Sequence, residues 1–216
     1  MRACVLALAT LLFLTGCQNA YYAALEKAGI HKRDLLVERV EDARDAQQQA
    51  KRQFQDALER YRSVVRVDGG ELEKRYEALD AEYRASEASA REVRGRIAAV
   101  EEVADALFDE WKDELDDYSD PGLRALSAKE LDRTRDEYAD VLRRMRAAEQ
   151  RIDPVLSVLH DRVLFLKHNL NAQAIGALQG ENAGLQGNVD RLMRDMQRAI
   201  DEADAFIRRL QAGNRR

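Results

Sequence analysis

From Leu72 to Trp111 the core-facing positions step by four and three in strict alternation: Leu72, Tyr76, Leu79, Tyr83, Ser86, Ala90, Val93, Ile97, Val100, Ala104, Leu107, Trp111. Eleven consecutive intervals keep that rhythm. The repeat averages about 3.5 residues, so one seam of a helix always faces a partner. No proline and only Gly95 interrupts the stretch, and charged residues fill most outward positions. At 1.5 Å per residue, residues 71–118 predict a rod about 70 Å long. Such a rod cannot hide its apolar seam alone, so the remaining segments have to supply opposing helices. The expected fold is all-α: an elongated antiparallel coiled coil or helical bundle of about four long helices, forming a single domain over residues 32–212.

Composition agrees with that reading. With 35% charged residues, 6% aromatic residues and two prolines, long helices fit better than a sandwich or a doubly wound sheet. Alanine-rich seams suggest a thin, extended core.

The N-terminus carries an address. Arg2, the apolar run from Val5 to Phe13, and Leu14-Thr15-Gly16 have the layout of a signal peptide over residues 1–16. The run is too short to span a bilayer. Leu14-Thr15-Gly16-Cys17 resembles the lipobox of bacterial lipoproteins, a family in which the cysteine is acylated and becomes the mature N-terminus. The alternative is an ordinary signal peptide with a chance cysteine. If Cys17 is lipidated, Cys4 leaves with the signal and no thiol remains for a disulfide, a metal or a nucleophile. Several acyl chains, at about 0.8 kcal/mol per buried CH₂, make a stable anchor. Gln18 stands where an aspartate commonly signals inner-membrane retention in Gram-negative lipoproteins, so the resemblance implies the outer membrane, periplasm-facing. Without Arg2 the chain keeps 34 basic and 40 acidic residues, a net charge near −6. Nucleic acid is not an expected partner for such a chain. Residues 17–31 form an acylated N-terminus and a short membrane-proximal segment, in which Tyr21 and Tyr22 either sit at headgroup level or cap the end of the bundle.

The first long helix is expected from about Lys32 to Arg66, with Leu36, Val40, Ala43, Gln47, Ala50, Phe54, Ala57, Tyr61 and Val64 on its seam. Gln47 is the polar exception, and a lone buried amide fixes register or partner choice. Asp68-Gly69-Gly70 predicts a tight turn and an antiparallel second helix. That helix ends in an acidic, aromatic stretch up to Tyr118, closed by Ser119-Asp120-Pro121-Gly122. Because the first helix is shorter than the second, the tip between helices two and three is expected to overhang by roughly 20 Å. Ser127-Ala128-Lys129-Glu130 has capping-box spacing and starts the third helix near Ala128. Its seam is Leu131, Thr134, Tyr138, Val141, Met145, Ala148, Ile152, Val155 and Leu159. Pro154 predicts a kink in a continuous helix, or else a restart with Asp153 as N-cap. From Val155 to Leu166 apolar residues lie on nearly every face, so the bundle is expected to be thickest there. Gly176, Gly180 and Gly184 are spaced to form a smooth stripe admitting close backbone approach, yet each glycine costs about 0.8–1 kcal/mol in a helix. A turn between Gly180 and Gly187 is therefore favoured over an unbroken helix. The last helix is expected from about Asn188 to Leu210, on a seam of Val189, Leu192, Met196, Ala199, Ala203, Phe206 and Leu210.

Three segments carry a family resemblance: Tyr21-Tyr22-Ala23-Ala24-Leu25-Glu26-Lys27, Ala104-Asp105-Ala106-Leu107-Phe108-Asp109-Glu110-Trp111, and Phe165-Leu166-Lys167-His168-Asn169-Leu170-Asn171-Ala172-Gln173-Ala174-Ile175. Together they resemble an uncharacterised Gram-negative lipoprotein family, domain of unknown function 2959, over nearly the whole chain after the signal. The resemblance implies an exported helical protein and brings no activity, substrate or catalytic residue.

No constellation for catalysis stands out. His31, His160 and His168 are the only imidazoles, and they form neither an i, i+4 pair nor an H-E-x-x-H motif. His160 and His168, eight apart, fall roughly on one face; a structural role is favoured over a metal site. Nothing singles out two carboxylates from 40 acidic residues, and no phosphate loop, G-x-S-x-G or G-x-G-x-x-G is present. The chain is not expected to be an enzyme, and no cofactor is implied. Two stretches invite partner binding. Trp111 and Tyr118 lie at the hairpin tip, where Trp111 is an exposed anchor or the last core layer. Lys167, His168, Asn169, Asn171 and Gln173 form an amide-rich surface, or a network closing the bundle end.

The leading expectation is an outer-membrane-anchored periplasmic coiled-coil lipoprotein, a non-catalytic scaffold or adaptor for envelope proteins or cell wall. A homo-oligomer is compatible with it. Alternatives are hydrophobic-ligand or lipid binding between helices near Val155–Leu170, and regulation of a cell-wall enzyme.

Overall fold

The computed structural model describes Gly29 and residues 31–65, 72–169, 175–178 and 182–213. Cys17, Asp68-Gly69-Gly70, Asn171, Gln173 and Gly180 lie outside the described residues. The elements are α1 (Lys32–Val65), α2 (Leu72–Glu114), a 3-10 turn (Leu115–Asp117), α3 (Pro121–Gln150), α4 (Ile152–His168) and α5 (Asn182–Gly213), with a helical turn over 175–178. Among the described residues there is no strand. The protein is an all-α helical bundle.

Burial follows the four-three seams. Every seam position of α1 is buried, including Phe54 and Tyr61, as is every one from Leu131 to Leu159 and from Val189 to Leu210. On α2 the seam is buried from Leu79 to Leu107 except for Tyr83, which is half-buried like the ends Leu72, Tyr76 and Trp111. Each large apolar side chain taken fully out of water contributes about 1.5–3 kcal/mol. Ala43, Ala50 and Ala57 on α1 and Ala199 and Ala203 on α5 are fully buried, and such small side chains let α1 and α5 approach closely.

The helices run up, down, up and down. α1 packs on α2 and α5, while α3 and α4 pack between α2 and α5 on the opposite corner. Ion pairs along the seam edges set this order. Asp42 accepts from Arg96 at 2.9 Å and Lys32 donates to Glu110 at 2.7 Å across α1–α2. Arg94 meets Glu149 at 3.1 Å across α2–α3. Arg209 meets Glu137 at 3.1 Å across α3–α5, and Arg44 meets Asp204 at 2.9 Å across α1–α5. Most of these pairs are part-buried at the bundle surface, where such a pair contributes about 1 kcal/mol or less; they select orientation more than they add stability. Gln47 crosses the diagonal, its Nε2 donating to the Met145 carbonyl at 3.4 Å, while its Oε1 is buried without a partner.

Four local expectations are corrected. The third long helix starts at Pro121, not near Ala128. Asp120 is its N-cap, accepting from the amides of Gly122 at 2.7 Å and Leu123 at 3.0 Å, and Pro121 occupies the first turn, where its missing N–H costs nothing. Ser127 is thereby inside the helix and caps nothing. The helix then divides at Arg151, ahead of Pro154, rather than kinking unbroken. Arg151 keeps right-handed backbone angles (φ −79°, ψ −13°) and is the N-cap of α4, so Asp153 is not. The seam phase survives the break, with Ile152 and Val155 both fully buried.

The third correction concerns glycine. α5 begins at Asn182 and runs through Gly184 and Gly187, so those positions form no turn. Leu185, Val189 and Leu192 are buried along it, and their packing outweighs the glycine penalty. A Cβ placed on Gly176 or Gly184 would meet nothing within 4 Å; neither is a site of close backbone approach. The fourth is at the end of α4. Val155, Leu159, Val163 and Leu166 are buried, but Leu164 is 45% and Phe165 38% exposed. The all-round apolar pattern is thus not all-round burial.

Candidate functional site: the two ends of the bundle

The antiparallel order sends the two candidate surfaces to opposite ends. At one end lie the start of α1, the α2–α3 hairpin and the end of α5; at the other lie the end of α4, the 175–178 turn and the end of α1. Lys32 is level with Glu110, and Arg209 with Glu137. The hairpin therefore projects past the start of α1 by the seven residues 111–117, about 10 Å at 1.5 Å per residue, and past the end of α5 by about a dozen residues of α3. The projection past α1 is about half the expected overhang, and it lies at the end of the bundle where α1 starts.

Trp111 stands at the base of this overhang. It is half-buried against the core, and its indole Nε1 donates to the Ser127 Oγ at 2.9 Å. One turn below, the Phe108 ring meets Tyr138 edge-on at 5.4 Å, and the Arg135 guanidinium lies over the Phe108 ring, 5.3 Å from its centroid. Burial pushes the Tyr138 phenol well above its ordinary range, with Asp105 and Glu101 adding to the effect. Trp111 thus closes the core instead of standing free. What the tip exposes is Tyr118 (41%), Leu123 (56%) and Leu126 (67%). Residues 109–132 hold nine acidic and three basic side chains, an excess of six negative charges where the whole chain has five.

The other end is built differently. Lys167 and His168 are exposed in the last turn of α4, where cations complement the helix dipole. Asn169 ends the helix: its backbone N–H donates to the Leu166 carbonyl at 3.2 Å and its Nδ2 to the Phe165 carbonyl at 3.0 Å. Tyr61 Oη donates to the Leu178 carbonyl at 3.0 Å, tying the 175–178 turn to α1, with Ile175 and Leu178 buried beneath. Leu164 and Phe165 are exposed next to Lys167, His168 and Asn169. The apolar pattern on nearly every face from Val155 to Leu166 predicts a thick bundle here, with these two among the packed residues. Their position off the Ile152-Val155-Leu159 seam was the signal that they could face outward.

The histidines do not converge. His160 lies against the Tyr83 ring at 5.5 Å and 3.7 Å from Asp161; His168 is exposed at the helix end. Among the described residues no group of three or more His, Cys, Asp or Glu side chains is placed to hold a metal ion. Two open surface grooves of about 320 and 330 Å³ run along the α1 and α2 faces, by Ala46, Ser89 and Glu92 and by Asp56, Arg60 and Glu82. Both are polar-edged, and neither is lined by a residue between Val155 and Leu170. Among the described residues no helix is long and apolar enough to cross a membrane.

The fold and its two ends define a class, the elongated antiparallel helical bundle. The family model described as a protein of unknown function, DUF2959, matches residues 21–210, and the chain belongs to that family. No curated protein and no solved structure matches it.

Proposed function

We propose that this protein is a lipid-anchored, non-catalytic scaffold of the Gram-negative outer membrane, facing the periplasm, which presents one end of a rigid bundle to an envelope partner. The observation that carries the reading is the polarity of the bundle. Lys32, the first residue of α1, lies at one end, while Leu164, Phe165, Lys167, His168 and Asn169 lie at the other. A lipid on Cys17 would hold the first end at the bilayer. α1 alone sets the second end about 50 Å away at 1.5 Å per residue. An exposed Phe and Leu beside two cationic or titratable side chains suits a protein partner, since buried aromatic anchors with a polar rim dominate such interfaces. Binding of a hydrophobic ligand between helices draws no comparable support, because the inward faces of Val155, Leu159, Val163 and Leu166 are filled by the core. Regulation of a cell-wall enzyme is one form the partner could take.

The test has two arms in cells. Metabolic palmitate labelling is expected to mark the wild type and to be lost in Cys17→Ser. A photo-crosslinking residue at Phe165 is expected to trap one envelope protein or the cell wall, with the adduct abolished by Lys167→Glu plus His168→Glu. Unlabelled Cys17, or adducts indifferent to those charge reversals, would overturn the reading.

A further inference from the structure

The packing face of α3 continues where α5 stops. Arg209 of α5 meets Glu137 of α3. From there α5 has four residues left, to Gly213, while α3 has sixteen, back to Pro121. Leu123 is eleven residues before Thr134, and Leu126 eleven before Glu137. Eleven residues are three turns and nearly the same angle on a helix. Thr134 is buried in the core and Glu137 faces α5, so Leu123 and Leu126 carry the inward face of α3 past the end of α5. Both are more than half exposed there, and Tyr118 is 41% exposed. Neighbouring large apolar side chains that prolong a packing face mark an interaction surface, unlike single exposed leucines. The Trp111–Ser127 hydrogen bond holds α2 against α3 at the level of this surface, which gives it a fixed base.

Charge around the surface limits what can cover it. Asp113, Glu114, Asp116 and Asp117 are exposed on the approach to the turn. Residues 109–132 hold six more acidic than basic side chains. Arg124, one of the three basic residues, is engaged by Asp116 at 2.5 Å. The same tip of a second copy would set like charge against like, and an anionic lipid surface would be repelled in the same way. A stripe of apolar residues flanked by lysine or arginine satisfies both the leucines and the carboxylates.

We propose that the hairpin tip docks a basic amphipathic helix of a partner protein. Its apolar side lies on Leu123 and Leu126, and its cations face the acidic residues of 113–117. Helix recognition of this kind uses apolar anchors one turn apart, the spacing at which Leu123 and Leu126 stand. The acidic rim speeds encounter and rejects acidic partners, while the apolar contact holds the complex. This surface is separate from the Phe165 end and does not depend on a lipid at Cys17.

The probe is a fluorescent synthetic helix of leucine and lysine with its leucines on one face; the same peptide with glutamate for lysine is the control. Anisotropy titration of the full chain is expected to show binding of the lysine peptide alone, weakening several-fold as salt rises from about 0.05 to about 0.3 M. Leu123→Ser plus Leu126→Ser should weaken it by about tenfold or more, as should Asp113→Asn, Glu114→Gln and Asp117→Asn together. Leu123→Ile plus Leu126→Ile, and Phe165→Ser, should leave it unchanged. No binding of the lysine peptide overturns the proposal, and so does binding indifferent to the serine pair, which would be charge attraction only. Self-association in sedimentation, or binding to phosphatidylglycerol vesicles, that is lost in the serine pair would assign the surface to a second copy or to a membrane, and would equally overturn it. None of these results bears on whether Phe165 docks a partner.

Discussion

Lys32 Nζ donates to Glu110 Oε1 at 2.7 Å, joining two residues 78 positions apart. Lys32 opens α1 and Glu110 lies in the last turns of α2. Their contact fixes how far the hairpin projects and on which side of the molecule it lies. His31 and the start of α1 lie at the same end, and the surface bearing Phe165 lies at the other.

Trp111 is the chain's single tryptophan and reports on the hairpin base. Ser127→Ala removes the acceptor of its indole N–H. The expected effect is a red shift of emission and a stability loss of about 0.5–1.5 kcal/mol in urea unfolding. An unchanged spectrum would contradict the contact.

Gln47 is fully buried with an unpartnered Oε1 and one long bond to Met145. Gln47→Met keeps the volume and removes the stranded acceptor. Unfolding by denaturant should show a gain of about 1–3 kcal/mol. A companion loss of register specificity would appear as broadened amide resonances along α1 and α3.

Gly95 and Gly184 are helical and exposed, and an added Cβ meets nothing at either. Gly95→Ala and Gly184→Ala should each raise stability by about 0.8–1 kcal/mol, additively because the sites are far apart. A loss at Gly184 would mean that something packs against that face.

Tyr83 donates to Glu87 Oε1 at 2.7 Å; burial first, and then that carboxylate, push its phenol from 10.0 up to about 12. A proton held more tightly in the folded state stabilises below the unfolded value and ceases to do so as pH rises through the folded one. The advantage of the wild type over Tyr83→Phe should be constant below pH 10 and shrink between about 10 and 12. Absorbance titration at alkaline pH should show one late phenol missing from the variant.

The seams were legible in the sequence because burial on a helix is periodic, and a four-three spacing kept over a dozen positions has no other economical explanation. Helix boundaries were less so. Ser127 and Glu130 have the spacing of a capping box, but that spacing also occurs within helices, and Asp120-Pro121 supplied the start. At Gly184 and Gly187 local propensity pointed to a turn, and packing of Leu185 and Val189 prevailed. Leu164 and Phe165 show the limit of a composition window, which counts apolar residues without saying which of them face inward. The separation of Trp111 from His168 depends on the antiparallel register and could not be read from either stretch alone.

The most direct test of the account is the depth of the two ends in the acylated protein bound to lipid vesicles. Spin labels at Tyr118→Cys and His168→Cys, in separate chains, would be relaxed by a paramagnetic metal chelated to the lipid headgroups. The account predicts strong relaxation at position 118 and almost none at 168. Equal relaxation at the two positions, or the reverse order, would contradict it.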